Sequence, residues 1–186
     1  MTNIMKKSVV CALFTVSLMF AQPSFAGADK PIIAVVNIQQ IMKDSTAAKT
    51  VREQLENKQK SFQADISKKE ESLKKEDQEL VKQKSVLSKD AFEKKVNEFR
   101  VKATNVQKDV QTKKGLLDNA FEHSLNDIQK VVTDIIADLS KEKGFTIAVP
   151  TSQILYADKS LDISDEVLAR LNKKLPKLDV KFEAKK

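Results

Sequence analysis

A long stretch of this sequence, from residue 32 to residue 149, contains no proline and only two glycines, Gly115 and Gly144. Proline and glycine are the residues that most strongly disfavour helix, so long helices are permitted across the whole stretch. It begins and ends with β-branched runs, IIAVVNI at residues 32–38 and FTIAVP at residues 145–150, which are typical of buried strands. The sequence therefore predicts two strands that pair with each other across a long helical insertion.

The first half of the insertion has one sparse apolar stripe. Asn37, with Gln40 three residues later, predicts a helix that begins near Ile38. The step between Phe62 and Ile66 is four residues and indicates a stutter, whereas most other steps are seven. About one apolar residue per heptad makes a thin coiled-coil seam, formed by Ile41, Val51, Leu55, Phe62, Ile66, Leu73, Leu80 and Leu87.

A turn and a second helix follow this stripe. Asp90 with Glu93 predicts a new helix start, and Ser88 is an alternative cap. The return seam is interrupted at Lys113 and otherwise comprises Phe92, Val96, Phe99, Ala103, Val106, Val110, Leu117, Phe121, Leu125, Ile128, Val132, Ile135 and Leu139. Two seams joined by a short turn predict an antiparallel hairpin, an arm over residues 47–139 that reaches roughly 60 Å.

Several short elements are predicted after the arm. Gly144 suits the end of the helix, and residues 153–157 form a third β-branched run after the strand at FTIAVP. Ser164 is the predicted cap of a last helix that ends before Pro176, with one apolar face made of Val167, Leu168, Leu171 and Leu175. The charged tail from Lys177 is expected to be frayed.

These elements predict an α+β fold, in which residues 27–46 and 140–186 form a small β-barrel-type body and the arm is inserted in it. Three short strands and one short helix cannot enclose much core, and such a sheet leaves two edges open to pairing. Strands from several chains are therefore expected to close a common body, as in a homo-oligomer. The expected core of that body is Ile33, Val35, Ile147, Val149 and Leu155.

The first 26 residues have the pattern of a secretory signal peptide. Lys6 and Lys7 precede the apolar run VVCALFTVSLMFA, and the small residues Ser24 and Ala26 follow. We expect cleavage after Ala26, because the run is short for a membrane anchor of roughly 20 residues. Cleavage removes Cys11, the only cysteine, so the exported chain must be stabilised by packing or assembly and not by a disulfide.

The positive charge of the chain is concentrated in the arm. Residues 43–114 contain 19 Lys and Arg against 13 Asp and Glu. A basic surface attracts acidic partners and anionic lipid, although individual lysines also fit a solvated helix face laced with pairs such as Glu70 and Lys74. Nucleic acid is a poor fit for an exported protein.

Nothing in the sequence indicates an enzyme. His123 is the only histidine, no second metal-ligating residue stands at a suitable spacing from it, and three glycines offer no phosphate-binding loop. No cofactor or metal is therefore expected.

The two ends of the chain resemble those of a known family. The signal peptide, IIAVVNIQQIM, GFTIAVP and ILYADKSLDISDEVLARLNKK are similar to the periplasmic Skp chaperones, also called OmpH-like proteins, over residues 27–175. The resemblance implies a homotrimer with a small β-barrel body and three helical arms around a cavity. It also implies a periplasmic holdase that binds unfolded outer-membrane β-barrel proteins without nucleotide or metal. A lipopolysaccharide site has been proposed in the family, but no motif of this arm carries it over.

A holdase needs weak, adaptable contacts over a large surface. The candidate client-binding residues of the arm are Phe62, Leu73, Leu80, Phe92, Phe99, Lys74, Lys75, Lys82 and Lys84. Packing of these apolar residues inside the hairpin is the alternative interpretation. The competing functions are a structural coiled-coil spacer or adaptor of the cell envelope, against which the thin seam argues, and a membrane-surface binder that acts through the basic tip.

Overall fold

A computed structural model describes residues 30–183. The predicted signal peptide and Cys11 lie outside the described residues. In chain order the elements are β1 (Ile33–Val36), α1 (Ile38–Asp44), α2 (Thr46–Gln83), α3 (Lys89–Lys143), β2 (Ile147–Pro150) and α4 (Ser164–Lys174), with short 3₁₀ turns at Thr151–Gln153 and Lys159–Leu161. No helix in this part of the chain is long and apolar enough to cross a membrane.

The two long helices form the predicted antiparallel hairpin. As the chain ascends α2 it meets residues progressively earlier in α3, so that Asp65 pairs with Lys113 and Glu76 pairs with Lys102. With 38 residues in α2 and 55 residues in α3, the helices extend roughly 57 Å and 80 Å. The extra length of α3 continues past the start of α2 toward β2.

The helical region begins where the sequence predicts, but it is not one continuous helix. Asn37 caps α1 by accepting a hydrogen bond from the Gln40 N–H at 3.0 Å, as predicted. One continuous helix from Ile38 was wrong, because α1 ends at Asp44 and Ser45 starts a new helix. The Ser45 hydroxyl accepts the Ala48 N–H at 3.3 Å, and its extended backbone breaks the helix.

Both ends of α3 have identifiable caps. Ser88, not Asp90, is the N-cap, since its hydroxyl accepts the Ala91 N–H. Asp90 lies in the first turn, where a carboxylate interacts favourably with the helix dipole. Gly144 ends the helix with a φ of 76°, a left-handed conformation that favours glycine. The predicted end of the arm's return helix is therefore confirmed.

The sheet of the described residues contains two parallel strands. Ile33 pairs with Ile147 and Val35 with Val149, across the helical insertion as predicted. The predicted third strand at 153–157 was wrong: a 3₁₀ turn covers Thr151–Gln153, and an irregular segment follows. Leu155 and Tyr156 are exposed, and this segment has no strand partner among the described residues.

One apolar core lies at the base of the hairpin. The predicted face of α4 is confirmed, since Val167 and Leu171 are fully buried and Leu168 and Leu175 pack beside them. The core joins β1, α1, α4, the start of α2 and the end of α3 through Ala34, Val36, Ile41, Ala47, Val51, Ile128, Val132, Ile135, Leu139, Val167 and Leu171.

Two predictions near the C terminus need correction. Ser164 is the first residue of α4 and not its cap; the Asp162 carboxylate accepts the Ser164 N–H at 2.8 Å, and the Ser164 hydroxyl accepts the Asn37 N–H at 2.7 Å. Residues 178–183 of the tail are not frayed, because Leu178 and Val180 pack against the core. Side chains of α2 hold its backbone, which a local sequence pattern could not indicate.

Candidate functional site

Four charged side chains link the two helices of the arm. Asp65 and Lys69 on α2 meet Asp109 and Lys113 on α3. Lys113 lies 2.8 Å from Asp65 and 2.6 Å from Asp109, and Lys69 lies 2.8 Å from Asp65 and also pairs with Asp109. The side chain of Lys113 is only 15% exposed. We call these residues the ionic quartet; it occupies the place where Lys113 interrupts the apolar seam.

The quartet is charged throughout the neutral pH range. Hydrogen bonds from Lys113 and Lys69 lower the pKa of Asp65 to about 2 and lower the pKa of Asp109 as well. The same contacts, led by the bond to Asp109, raise the pKa of both lysines. The arrangement neutralises its own charge and is directed between the helices, so it acts as a crosslink of the hairpin.

Phe62 lies beside this crosslink. The ammonium groups of Lys58 and Lys113 stand 5.0 Å and 5.5 Å from the centre of its ring, within the range of cation–π attraction. The ring is half-buried. Phe62, one of the predicted client-binding residues, is therefore held at the hairpin and not presented freely to solvent.

The structure separates the other predicted client-binding residues into two groups. The apolar members lie toward the hairpin, with Leu80 buried and Leu73, Phe92 and Phe99 half-buried. The basic members Lys74, Lys75, Lys82 and Lys84 are exposed. The placement of the apolar group in the single chain is that of the alternative interpretation. Two of the exposed lysines are ion-paired along α2, Lys75 with Glu71 and Lys82 with Glu79.

Three exposed valines near the tip were missed by the sequence reasoning. Val81, Val86 and Val101 are 70%, 80% and 60% exposed and lie on α2, the turn and α3 respectively. All three lie outside the apolar seams of the two helices. Their position outside the seams was the sequence signal that could have identified them as exposed apolar residues. We call them the tip valines. They place apolar surface beside the exposed lysines.

The seam of α3 near the base also differs from the prediction. Phe121 was placed in the seam but is exposed, while its neighbour Ala120 is buried. Ala120 and Ser124 are buried one residue before the predicted positions Phe121 and Leu125, whereas Ile128 is buried as predicted.

An apolar patch covers the outer face of the sheet. Ile33 and Ile147 are register partners and therefore point to the same side, and both are exposed. Among the other expected body-core residues, Val35 is buried, Val149 is half-buried and Leu155 is fully exposed. Ala34 and Val36 point to the opposite side, into the core. The chain thus covers one face of its sheet and leaves much of the other open.

No metal-binding cluster of His, Cys, Asp or Glu occurs between residues 30 and 183. His123 is exposed on α3. The candidate functional features of the described residues are the exposed tip valines and lysines, the apolar patch on the sheet and the ionic quartet.

The model of the family described as Outer membrane protein (OmpH-like) matches residues 32–171. The chain belongs to the OmpH-like family. The match runs from the residue before β1 into α4, and it stops before the tail that packs on α2. Membership in this family, whose proteins are periplasmic and non-enzymatic, points to a periplasmic chaperone.

A solved structure shares the fold of this OmpH-like chain. It is described as an OmpH-like outer membrane chaperone from Caulobacter crescentus CB15, and it superposes with a TM-score of 0.76. The two sequences are 18% identical, and the alignment covers 84% of this chain and 93% of the other. No curated protein matches the chain.

Proposed function

We propose that this OmpH-like chain is a nucleotide-independent periplasmic holdase that binds unfolded outer-membrane β-barrel proteins and prevents their aggregation. The observation that carries the proposal is the surface of the distal arm, where exposed tip valines stand among exposed lysines. Strands of transmembrane β-barrels alternate apolar and polar residues, so before insertion they expose apolar side chains in many places. An open surface with scattered apolar groups suits such clients better than one closed pocket.

The contacts are expected to be individually weak. Full burial of a valine side chain contributes about 1.5 kcal/mol or slightly more, so several contacts must act together and each can be exchanged. The basic surface adds attraction for acidic clients over roughly 8 Å at physiological salt. Phe62, Leu73, Leu80, Phe92 and Phe99 lie along the hairpin, and they add apolar surface when the two helices separate.

We further propose that the chain assembles through the apolar patch on its sheet, as the trimeric body implied by the family resemblance requires. A parallel sheet is normally covered on both faces, yet Ile33 and Ile147 are exposed in the single chain. Leu155 and Tyr156 add exposed apolar surface after β2, and among the described residues β2 has a strand partner only on its β1 side. A second copy of the chain supplies matching strands and apolar residues.

Leu155→Asp tests this assembly. Because Leu155 is exposed in the single chain, the substitution leaves the fold of each chain intact and places a charge in the interface. Sedimentation should show dissociation of the oligomer with retained helical content. Val86→Asp, at the tip, is the matched control and should stay assembled. A wild-type protein that sediments as a folded monomer contradicts the shared body.

The holdase activity is tested by diluting a urea-unfolded outer-membrane β-barrel protein with and without this protein, in the absence of nucleotide. Light scattering should fall at stoichiometric amounts. Replacing residues 70–108 by a short Gly-containing turn removes the distal arm while Lys69 and Asp109, which are ion-paired, remain at the new tip. This variant should stay assembled and lose most of the suppression.

A sharper variant exchanges the tip valines for serine. The triple change Val81→Ser, Val86→Ser and Val101→Ser removes apolar area without changing charge, so suppression should weaken several-fold. The matched control changes three exposed polar residues of α3, Asn97→Ser, Gln107→Ser and Gln111→Ser, and should behave as wild type. Equal loss in both variants would show that the valines are not client contacts.

The ionic quartet favours a second candidate, a structural spacer of the cell envelope. Charged crosslinks between helices stiffen an arm, as a spacer requires. If the protein is a spacer, the folded and assembled protein leaves the light scattering of an unfolded client unchanged. Shortening the arm then alters only the distance between the two envelope components that the arm separates. Either result separates the two functions.

A further inference from the structure

The tail of the chain lies along α2 as an extended strand-like segment. Leu178 and Val180 pack against the core, and the ring of Phe182 lies 5.2 Å from the Lys58 ammonium group. Asp179 and Lys181, between them, are exposed. The tail therefore alternates apolar residues toward α2 with charged residues toward solvent.

The backbone of the tail is held by a single side-chain amide. Gln54 donates from Nε2 to the Leu178 carbonyl at 2.8 Å and accepts the Val180 N–H on Oε1 at 3.0 Å. The hydroxyl of Thr50 accepts the Leu178 N–H at 3.4 Å. An amide that donates and accepts in this way imitates a neighbouring strand, and it recognises an extended backbone whatever side chains that backbone carries.

The spacing of α2 matches the spacing of an extended chain. Thr50, Gln54, Lys58 and Phe62 are four residues apart and lie on one side of the helix, and we call them the root stripe. From Thr50 to Lys58 the helix rises roughly 12 Å, while an extended chain covers roughly 13 Å from residue 178 to residue 182. Successive apolar side chains of an extended segment therefore meet successive turns of α2.

We infer that the root stripe is a receptor for extended polypeptide segments with alternating apolar and polar residues, and that the tail occupies it in cis until such a segment displaces it. The inference rests on the proposed function, because unfolded β-barrel strands carry this alternation. Two observations support displacement by a client: the hydrogen bonds from Gln54 and Thr50 to the tail all involve its backbone, and the charged residues Asp179 and Lys181 are exposed. The tail acts as a built-in competitor.

A tethered segment competes at an effective concentration of about 1 mM. For a Kd of about 100 µM, the tail then occupies the root stripe about nine-tenths of the time. A free segment with the same Kd must compete with it. Releasing the tail is expected to strengthen binding in trans about tenfold.

The test measures binding of a fluorescent KLDVKFE peptide, the sequence of residues 177–183, by anisotropy. It compares the wild-type protein with a tail-undocked variant of the full chain, Leu178→Ser, Val180→Ser and Phe182→Ser. The undocked variant should bind the peptide about tenfold more tightly. A permuted peptide of the same composition, KLVFDKE, lacks the alternation and should bind weakly to both proteins.

Gln54→Ala in the undocked background should abolish peptide binding, whereas Gln59→Ala, an exposed neighbour on α2, should not. Val180→Pro, which removes the N–H donated to Gln54, provides a second undocked protein. A folded undocked protein that fails to bind the peptide overturns the inference, as does equal binding of the permuted peptide. Unfolding of both undocked proteins also overturns it, because the tail is then part of the fold and cannot be displaced.

The same proteins distinguish this inference from the proposed function. Peptide binding without any suppression of client aggregation contradicts the holdase and leaves the receptor standing. Suppression that is unchanged by Gln54→Ala and by undocking, without peptide binding, contradicts the receptor and leaves the holdase standing. If both hold, the undocked protein suppresses aggregation at a lower concentration than wild type.

Discussion

The base and the distal part of the arm are made of the same two helices, yet they are packed differently. At the base, α2 and α3 meet β1, α1 and α4, and residues such as Ile128, Leu139 and Leu171 have no exposed surface. Toward the tip the helices have only each other, most seam residues are half-buried, and charged pairs replace part of the apolar contact. Stability is therefore expected to fall along each helix from base to tip.

This gradient joins a fixed platform to an adaptable surface without any flexible linker. Under the proposed function, the platform holds one face of the sheet in place for assembly. The distal arm has little burial to lose when its helices separate, so the proposed function lets it adjust to different clients at small cost. The following predictions test the contrast, in order of decreasing effect.

Truncation of a leucine should cost much more at the base than in the arm. Leu171→Ala removes a fully buried side chain from the core and is expected to lower the free energy of unfolding by about 4 kcal/mol. Leu80→Ala affects a site with partners on one side only, so about 2 kcal/mol is expected. Urea unfolding followed by circular dichroism measures both, and equal losses would contradict the gradient.

The two glycines of α3 and its end should respond in opposite directions. A Cβ at Gly115 meets nothing within 4 Å, so Gly115→Ala should stabilise α3 by about 1 kcal/mol. Gly144 has a φ of 76°, and Gly144→Ala should destabilise by about 1 kcal/mol or more. Thermal melts detect both changes. If Gly115→Ala stiffens the arm and also weakens the suppression of client aggregation, the holdase activity depends on the flexibility of the arm.

The tip turn should depend on Ser88 more than on Asp90. Ser88→Ala removes the cap hydroxyl of α3 and is expected to cost about 1 kcal/mol. Asp90→Asn removes only a favourable interaction with the helix dipole, so its effect should be smaller. Amide hydrogen exchange of the first turn of α3 reports on both, and the reverse order would restore Asp90 as the cap.

Acid should weaken the ionic quartet of the arm. The contacts with Lys113 and Lys69 lower the pKa of Asp65 from its ordinary value of 3.8 to about 2. A lowered pKa means that the stabilisation is complete above pH 3.8 and is lost as the pH falls toward 2. Asp65→Asn should lose this part of the acid dependence and be somewhat less stable at neutral pH. Helical content at graded pH, for both proteins, measures the difference.

The features that depend on local sequence could be predicted. The absence of proline, the heptad spacing and the cap at Asn37 act within a few residues, and they predicted the hairpin and its direction. The pairing of the two β-branched runs was predicted from their composition, since each needs a strand partner. The interruption at Lys113 was also visible, but its partner Asp65 is 48 positions away, so only the folded hairpin could reveal the quartet.

Apart from the pairing of β1 with β2, the features that depend on distant partners could not be predicted. The run at 153–157 has the composition of a strand, but a strand forms only where another strand satisfies its backbone. The tail has the composition of a frayed end, yet the Gln54 amide, 124 residues earlier, orders it. The tip valines escaped notice because a seam analysis looks only at residues on the seam.

The parallel pairing of β1 and β2 also has a consequence for the route of folding. Residues 37–146 separate the strands, so their pairing must close a very long loop, whereas the arm is a local hairpin that can form first. Once α2 and α3 have zipped to their base, the loop that remains to be closed is about 20 residues, and the entropic cost of closure falls by about 1.5 kcal/mol. We therefore expect a preformed arm to bring β1 and β2 together, so changes that weaken the arm should slow the folding of the base even where they leave its final stability unchanged.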